Sequence, residues 1–229
     1  MASRQAAAHE TRPVQITLGE IVLHADLTRP DDARGLVLFA HGSGSSRSSP
    51  RNRAVAATLS AGGFATLLLD LLTEEEERVD DVTGELRFDI PLLTRRLEGA
   101  TRWAAEVDEL RALPVGYFGA STGAAAALGA AARLGERVGA VVSRGGRPDL
   151  AGDVLPAVTA PTLLIVGGND REVLELNELA RDRMRAEVVI EIVPGATHLF
   201  EEPGALERVA ELALRWFELH LAGDRTARG

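Results

Sequence analysis

The chain has 229 residues, a net charge of −9, no cysteine and no lysine, all 25 basic residues being arginine. The missing cysteine excludes disulfides, thiolate metal sites and a thiolate nucleophile, and the missing lysine excludes Schiff-base chemistry, a P-loop lysine and a Ser–Lys dyad. The acidic balance argues against a nucleic-acid partner, which needs a basic surface, while the length suits one undivided α/β core.

Residues 1–13 are polar and carry no apolar signal segment, so they read as a flexible arm. No apolar run approaches the ~18–20 residues of a membrane span. A cytoplasmic protein with no membrane partner is expected. Val14–Leu18 and Ile21–Leu27 read as a hairpin turning at Gly19. Leu36–Ala40 is a continuous apolar run, as in a strand buried on both faces. A Gly/Ser loop follows, then a helix from about Asn52 to Ala61, stopped by Gly62-Gly63. Phe64–Leu69 is another buried strand. Asp70–Asp89 is an acidic connection, and its Glu74–Glu77 run reads as a solvated loop or helix end.

A long amphipathic helix is expected from Leu93 to Leu110. Strand Val115–Phe118 comes next, then a helix over residues 122–134 made almost wholly of Ala, Gly and Leu. So little polar surface marks a buried helix lying close against a sheet. Ala140–Ser143 and Thr162–Val166 are apolar strands, Glu172–Met184 a helix, Val188–Val193 a strand and Gly204–Leu221 a final amphipathic helix. This alternation predicts an α/β protein with a mostly parallel sheet, an N-terminal antiparallel hairpin and helices on both faces. One domain over residues 14–221 is expected, followed by a 222–229 tail. Sites in such folds lie at the carboxyl ends of strands.

Between the fifth strand and its helix stands Gly119-Ala120-Ser121-Thr122-Gly123. Chance supplies a Gly-x-Ser-x-Gly in about one chain in ten of this composition, so the context decides. A strand before and a helix after put Ser121 on a tight, strained turn with its hydroxyl exposed, the setting of a serine nucleophile. A base must take its proton, and an acceptor must fix the base's tautomer. Of five histidines, His9, His24 and His220 read as solvated or packed side chains, whereas His41 and His198 follow buried strands. His198 is the better base, in a turn-rich loop after the last strand. Asp170 is the better acid, after Gly167-Gly168-Asn169, although it could instead cap the next helix. Asp149 and Asp153 are weaker rivals. The order Ser121, Asp170, His198 is that of α/β-hydrolases. Two backbone amides should receive the oxyanion: Thr122 at its helix start, and Ser43 in the loop after strand 36–40. His41 then supports that loop.

His41-Gly42-Ser43-Gly44, Gly119–Gly123, Gly168-Asn169-Asp170 and Ala196-Thr197-His198 together resemble an α/β-hydrolase of the dienelactone-hydrolase-like kind, over residues 14–221. The resemblance assigns nucleophile, acid and base to the same three residues. Dienelactone hydrolases proper carry a cysteine nucleophile, which points here to a simple carboxylic ester as substrate. Proteins resembling this one occur as hydrolase partners of phosphoribosyltransferase domains; none is visible in these 229 residues.

Only Arg144–Pro161 lies where α/β-hydrolases insert a lid, too little for a cap domain. An open site and short, soluble esters follow, since long acyl chains need a large apolar cover. Arg47, Arg51 and Arg53 follow the oxyanion loop, and Arg144 and Arg147 follow the sixth strand. Arg47 and Arg144 are candidates to grip an anionic substrate group; the competing reading is surface arginines paired with residues 74–77. No metal-ligand cluster or dinucleotide fingerprint is evident, so no cofactor is expected. Two other classes share these residues: an acyltransferase or perhydrolase with a different acceptor, and a non-catalytic binding module on the same fold.

Overall fold

Successive side chains leave opposite faces of a strand, and the central strands carry apolar residues on both. In β3 (Leu36–Ala40), Leu36, Leu38 and Ala40 enter one core while Val37 and Phe39 enter the other. The same division runs through β4 (Ala65–Leu69), β5 (Val115–Ala120) and β6 (Val138–Arg144). The structure is a computed structural model describing residues 10–221. Most of the expected arm, residues 1–9, and the expected 222–229 tail lie outside the described residues.

The eight strands lie in the order β1-β2-β4-β3-β5-β6-β7-β8. β1 (Thr11–Leu18) and β2 (Ile21–Thr28) form the antiparallel hairpin, and β2 is also antiparallel to β4. All further pairs, out to β7 (Thr162–Gly167) and β8 (Val188–Val193), are parallel. This is the α/β-hydrolase type of sheet that the alternation predicts. β1 starts at Thr11, inside the expected arm, because residues 11–13 pair with residues 26–28. Pro13 is tolerated there because β1 is an edge strand.

Helices α1 (Pro50–Ala61) and α6 (Ala205–His220) cover one face, burying Val55, Leu59, Val209, Trp216 and Phe217. α3 (Ile90–Glu106), α4 (Thr122–Leu134) and α5 (Arg171–Arg183) cover the other. Every residue of α4 from Thr122 to Ala131 is buried, and its small side chains let it lie against the sheet as expected. The acidic stretch forms a helix, α2 (Glu74–Thr83). Its apolar residues Val79 and Val82 are exposed, so hydrophobic periodicity gave no sign of it. A capping box holds it instead: Thr73 Oγ1 accepts from the Glu76 amide at 3.2 Å, and Glu76 Oε2 accepts from the Thr73 amide at 2.8 Å. Four glutamates in the first turn favour the helix dipole, and Gly84, at φ 68°, ends the helix.

Register brings the strand ends level. Ala40 pairs with Gly119, Ala120 with Arg144, and Gly167 with Val193. The loops after β3, β5, β6, β7 and β8 therefore open on one rim. Between β6 and β7 the chain makes only 3-10 turns over Pro148–Ala157, and no cap domain is inserted there. No helix among the described residues is long and apolar enough to cross a membrane.

Candidate active site

Ser121 follows the last residue of β5 and precedes the first of α4, with φ 50° and ψ −122°. A non-glycine residue in that region is strained, and such strain persists only where its surroundings enforce it. Its carbonyl accepts from the amides of Ala124 and Arg147, both at 3.1 Å. Both motif glycines are required by close approach. A Cβ on Gly119 would stand 2.5 Å from Ala124 Cα, and one on Gly123 would stand 2.5 Å from the His41 carbonyl and closer still to that of Ala40. The elbow is thus pressed against the end of β3.

Asp170 stands at the N-terminus of α5, yet its carboxylate makes no capping bond. It turns instead to His198, with Oδ2 2.7 Å from Nδ1. A carboxylate only accepts, so Nδ1 carries the proton and Nε2 keeps its lone pair. The two loops are tied to each other: Asn169 donates from its side chain to the Gly195 carbonyl and from its amide to that of Ala196, both at 2.9 Å. Glu202 locks the histidine loop, accepting from the Thr197 amide at 3.0 Å and hydroxyl at 2.6 Å. These bonds, that to the Thr197 hydroxyl foremost, hold the Glu202 carboxyl below its usual range. Phe200, at φ 57° and fully buried, anchors the same loop. Gly145, at φ 49°, lets the chain pass beneath His198, whose carbonyl a Cβ there would meet at 2.9 Å. Glu202, Phe200 and Gly145 escaped sequence reasoning, and Asn169 was read only as part of the Gly168-Asn169-Asp170 motif, without its role in tying the two loops. Only the glycine-rich pair Gly145-Gly146 after β6 hinted at a close approach.

Ser121 and His198 line one cavity together with Gly42, Ser43, Arg144 and Leu199. No hydrogen bond joins Ser121 to His198 in this structure. Gly42 crosses directly over Ser121, where an added Cβ would stand 2.9 Å from Ser121 Cβ. Neither the Ser43 nor the Thr122 amide has a backbone acceptor among the described residues, which leaves both donors free beside Ser121.

His41 sits behind this loop. Its Nδ1–H donates to the Gly42 carbonyl at 2.9 Å, and its Nε2 accepts from the Leu71 amide at 3.1 Å. That arrangement needs a neutral ring. Burial pushes its pKa below the ordinary histidine value, outweighing the upward pull of the Gly42 carbonyl and Asp70. Both nitrogens are occupied, which suits a loop support and not a base.

The arginines separate. Arg47 is held by Asp70, which takes both its amide (2.7 Å) and its guanidinium, and it lines a different cavity beside His24. Arg51 pairs with Glu201 at 3.0 Å and Arg53 with Asp26 at 3.0 Å. Arg147 forms a two-bond fork with Asp149, both at 2.8 Å, and Arg183 pairs with Asp153 at 2.9 Å, so both rival acids are engaged away from His198. These partners are not the 74–77 glutamates, of which Glu76 pairs with Arg96. Arg144 alone of the two candidates reaches the Ser121 cavity. It is 7% exposed, and burial foremost, with Arg51 nearby, pushes its pKa down to about 10. Among the described residues, no group of three or more His, Asp or Glu side chains could hold a metal ion.

The family model described as "Dienelactone hydrolase family" matches residues 23–219. A dienelactone hydrolase from Anabaena variabilis superposes with a TM-score of 0.92 at 56% identity, over 93% of this chain and 99% of that one. Est1E from Butyrivibrio proteoclasticus shares the fold at a TM-score of 0.73 and 17% identity, over 90% of this chain and 98% of its own. Two curated Mycobacterium tuberculosis proteins, from strains CDC 1551 and H37Rv, are 59% identical over 210 residues and carry the name phosphoribosyl transferase. The match takes in 92% of this chain and 46% of theirs, so the chain spans about half the length of those relatives.

Proposed function

The chain belongs to the dienelactone hydrolase family, and from that premise we propose that it is a serine hydrolase cleaving a small carboxylic ester through an acyl-enzyme. The observation that carries the reading is the 2.7 Å Asp170–His198 bond, made on the rim of the cavity that Ser121 lines. It fixes the tautomer in which Nε2 can take the serine proton.

In this mechanism Ser121 Oγ attacks the ester carbonyl carbon while its proton passes to His198 Nε2. The carbonyl electron pair moves onto oxygen, which the Ser43 and Thr122 amides receive. One such donor contributes about 10²–10³ in rate. When the intermediate collapses, the alcohol leaves with the proton from Nε2 and Ser121 is acylated. Water then gives a proton to Nε2 and attacks the acyl carbon. The acid departs, and Ser121 Oγ regains its proton. Asp170 stays ionised throughout and stabilises the imidazolium.

Serine in place of cysteine favours simple esters over dienelactone. Among the described residues the rim offers no large apolar wall, which favours short chains. The transferase name belongs to proteins about twice this length; the chemistry proposed here is that of the matched half alone. A nitrophenyl ester series tests the reading. Hydrolysis is expected to be fastest at about two to six acyl carbons, and an optimum at about twelve or more would contradict an open, short-chain site.

A further inference from the structure

Residues 144–147, at and after the end of β6, brace Ser121 and His198 together. The Arg144 carbonyl accepts from the Ser121 amide at 3.4 Å, and the Arg147 amide donates to the Ser121 carbonyl at 3.1 Å. Gly145 lies under His198, and its amide is fixed to the Ile165 carbonyl of β7 at 2.8 Å. Gly146 has no room for a side chain: a Cβ there would stand 2.6 Å from that of Ala124 in α4, and closer still to Ser143 Oγ. One side chain holds this brace from outside. Asn177, fully buried on the inner face of α5, donates from Nδ2 to the Gly146 carbonyl at 3.0 Å and to the Val173 carbonyl of its own helix at 2.7 Å. Two carbonyls at one end of the amide make that end the NH2 group. The Gly146 carbonyl has no other donor among the described residues. Asp170 stands about two turns back, at the start of the same helix.

The other end of the Asn177 amide is unserved. Its Oδ1 is buried with no hydrogen-bond partner among the described residues. A buried acceptor left unpaired costs stability, so what the asparagine supplies here is its donor. We infer that Asn177 is a positioning residue for the hydrolysis: through the Gly146 carbonyl it fixes residues 144–147, and with them the distance from Ser121 at the head of α4 to the His198–Asp170 pair beside α5. The inference rests on the reading of Ser121 as nucleophile. Ser121 holds a strained backbone conformation, and strain of that kind lasts only while its surroundings enforce it. Without its donor the Gly146 carbonyl turns toward another one. The Arg147–Ser121 bond then slackens, and Ser121 Oγ drifts from His198 Nε2. Ester binding draws on the cavity walls and not on that alignment, so the loss falls on the acylation rate and not on affinity.

The test compares the full chain as wild type, Asn177→Leu, Asn177→Ala, Thr101→Val and Ser121→Ala. Single-turnover reaction with a short nitrophenyl ester gives the acylation rate and the ester concentration that half-saturates it, and a thermal melt accompanies each variant. Asn177→Leu keeps the bulk but strands the Gly146 carbonyl, and its acylation should slow about 10²-fold, the cost of a misplacement near 1 Å. Asn177→Ala opens room for a water that donates to the same carbonyl, so it should slow only about tenfold. Half-saturation should stay within about twofold of wild type in both. A packing role predicts the reverse order, since Leu fills the site and Ala leaves a cavity. Thr101→Val breaks the buried bond to Tyr117 Oη (2.6 Å) between α3 and β5. It should lower the melting temperature by a few degrees yet acylate within about twofold of wild type. If Asn177→Leu does not fold, Asn177→Ala carries the test against Thr101→Val. The positioning role is overturned by folded Asn177 variants that acylate within about threefold of wild type, by Ala slower than Leu, by a half-saturation that rises in step with the lost rate, or by Thr101→Val slowing as much as Asn177→Ala. Failure of the hydrolase reading shows separately, as ester hydrolysis surviving in Ser121→Ala.

Discussion

Gly123→Ala places a methyl group between the elbow and the end of β3. The added Cβ would stand 2.5 Å from the His41 carbonyl oxygen and nearer to that of Ala40, whereas side-chain Cβ atoms essentially never come within 3.0 Å of another atom. At least about 0.5 Å of movement is therefore needed, and nearer 1 Å to relieve Ala40 fully. β3 cannot give way, because all five of its residues are buried and it is paired on both edges. The start of α4 must move, and Ser121 and the Thr122 amide move with it. A misplacement of about 1 Å costs around 10²-fold in rate, and overpacking of this kind costs about 1–3 kcal/mol in stability. The assay is kcat/KM on a short nitrophenyl ester, alongside a thermal melt. Gly129→Ala is the control: it lies on the same helix, but its Cβ meets the side-chain hydroxyl of Thr94 at 2.6 Å, which can rotate aside. That variant should stay within about threefold of wild-type activity. A folded Gly123→Ala protein with wild-type activity would refute the idea that close backbone approach sets the position of Ser121.

Asp170→Asn keeps the shape of the acid but allows the wrong histidine tautomer, so kcat should fall about 10⁴-fold with little change in melting temperature; a loss under about tenfold would place the acid elsewhere. His41 gives a pH effect of defined sign. Its folded pKa is lowered by burial, so between that value and the unfolded value of about 6.5 the unfolded chain binds the extra proton. The neutral ring's contribution is present above about pH 6.5 and is lost as pH falls through the folded value. Urea melts from pH 7.5 to 5 should show a steeper stability loss for wild type than for His41→Gln, and identical slopes would mean the ring is not held neutral.

Most of the sheet was readable because its strands are buried on both faces and appear as unbroken apolar runs, from Leu36–Ala40 to Thr162–Val166. Ser121 and Asp170 stood out because each follows such a run, whereas His198 follows the half-buried edge strand β8, which Glu191 interrupts; the sheet register brings those strand ends level. α2 was not read as a helix. It buries no apolar face, and its only signs were the Thr73–Glu76 box and Gly84. The start of α3 at Ile90 was also missed, since Asp89 sets it by accepting from the Leu92 amide at 2.9 Å, three residues before the apolar stripe begins at Leu93. The arginines could not be sorted from sequence at all. Arg47 and Arg144 stand equally near the motif loops, and only three-dimensional pairing gives Arg47 two aspartates and leaves Arg144 none among the described residues.

The central claim is that Ser121 is the nucleophile. A fluorophosphonate probe reacts with a serine oxygen activated by its base and releases fluoride, and intact mass spectrometry reads the adduct. Wild type should gain one phosphonyl group, with the modified peptide containing Ser121, and Ser121→Ala should gain none while melting as a folded protein. Labelling retained in Ser121→Ala, or a wild-type adduct mapped to another residue, would contradict the account.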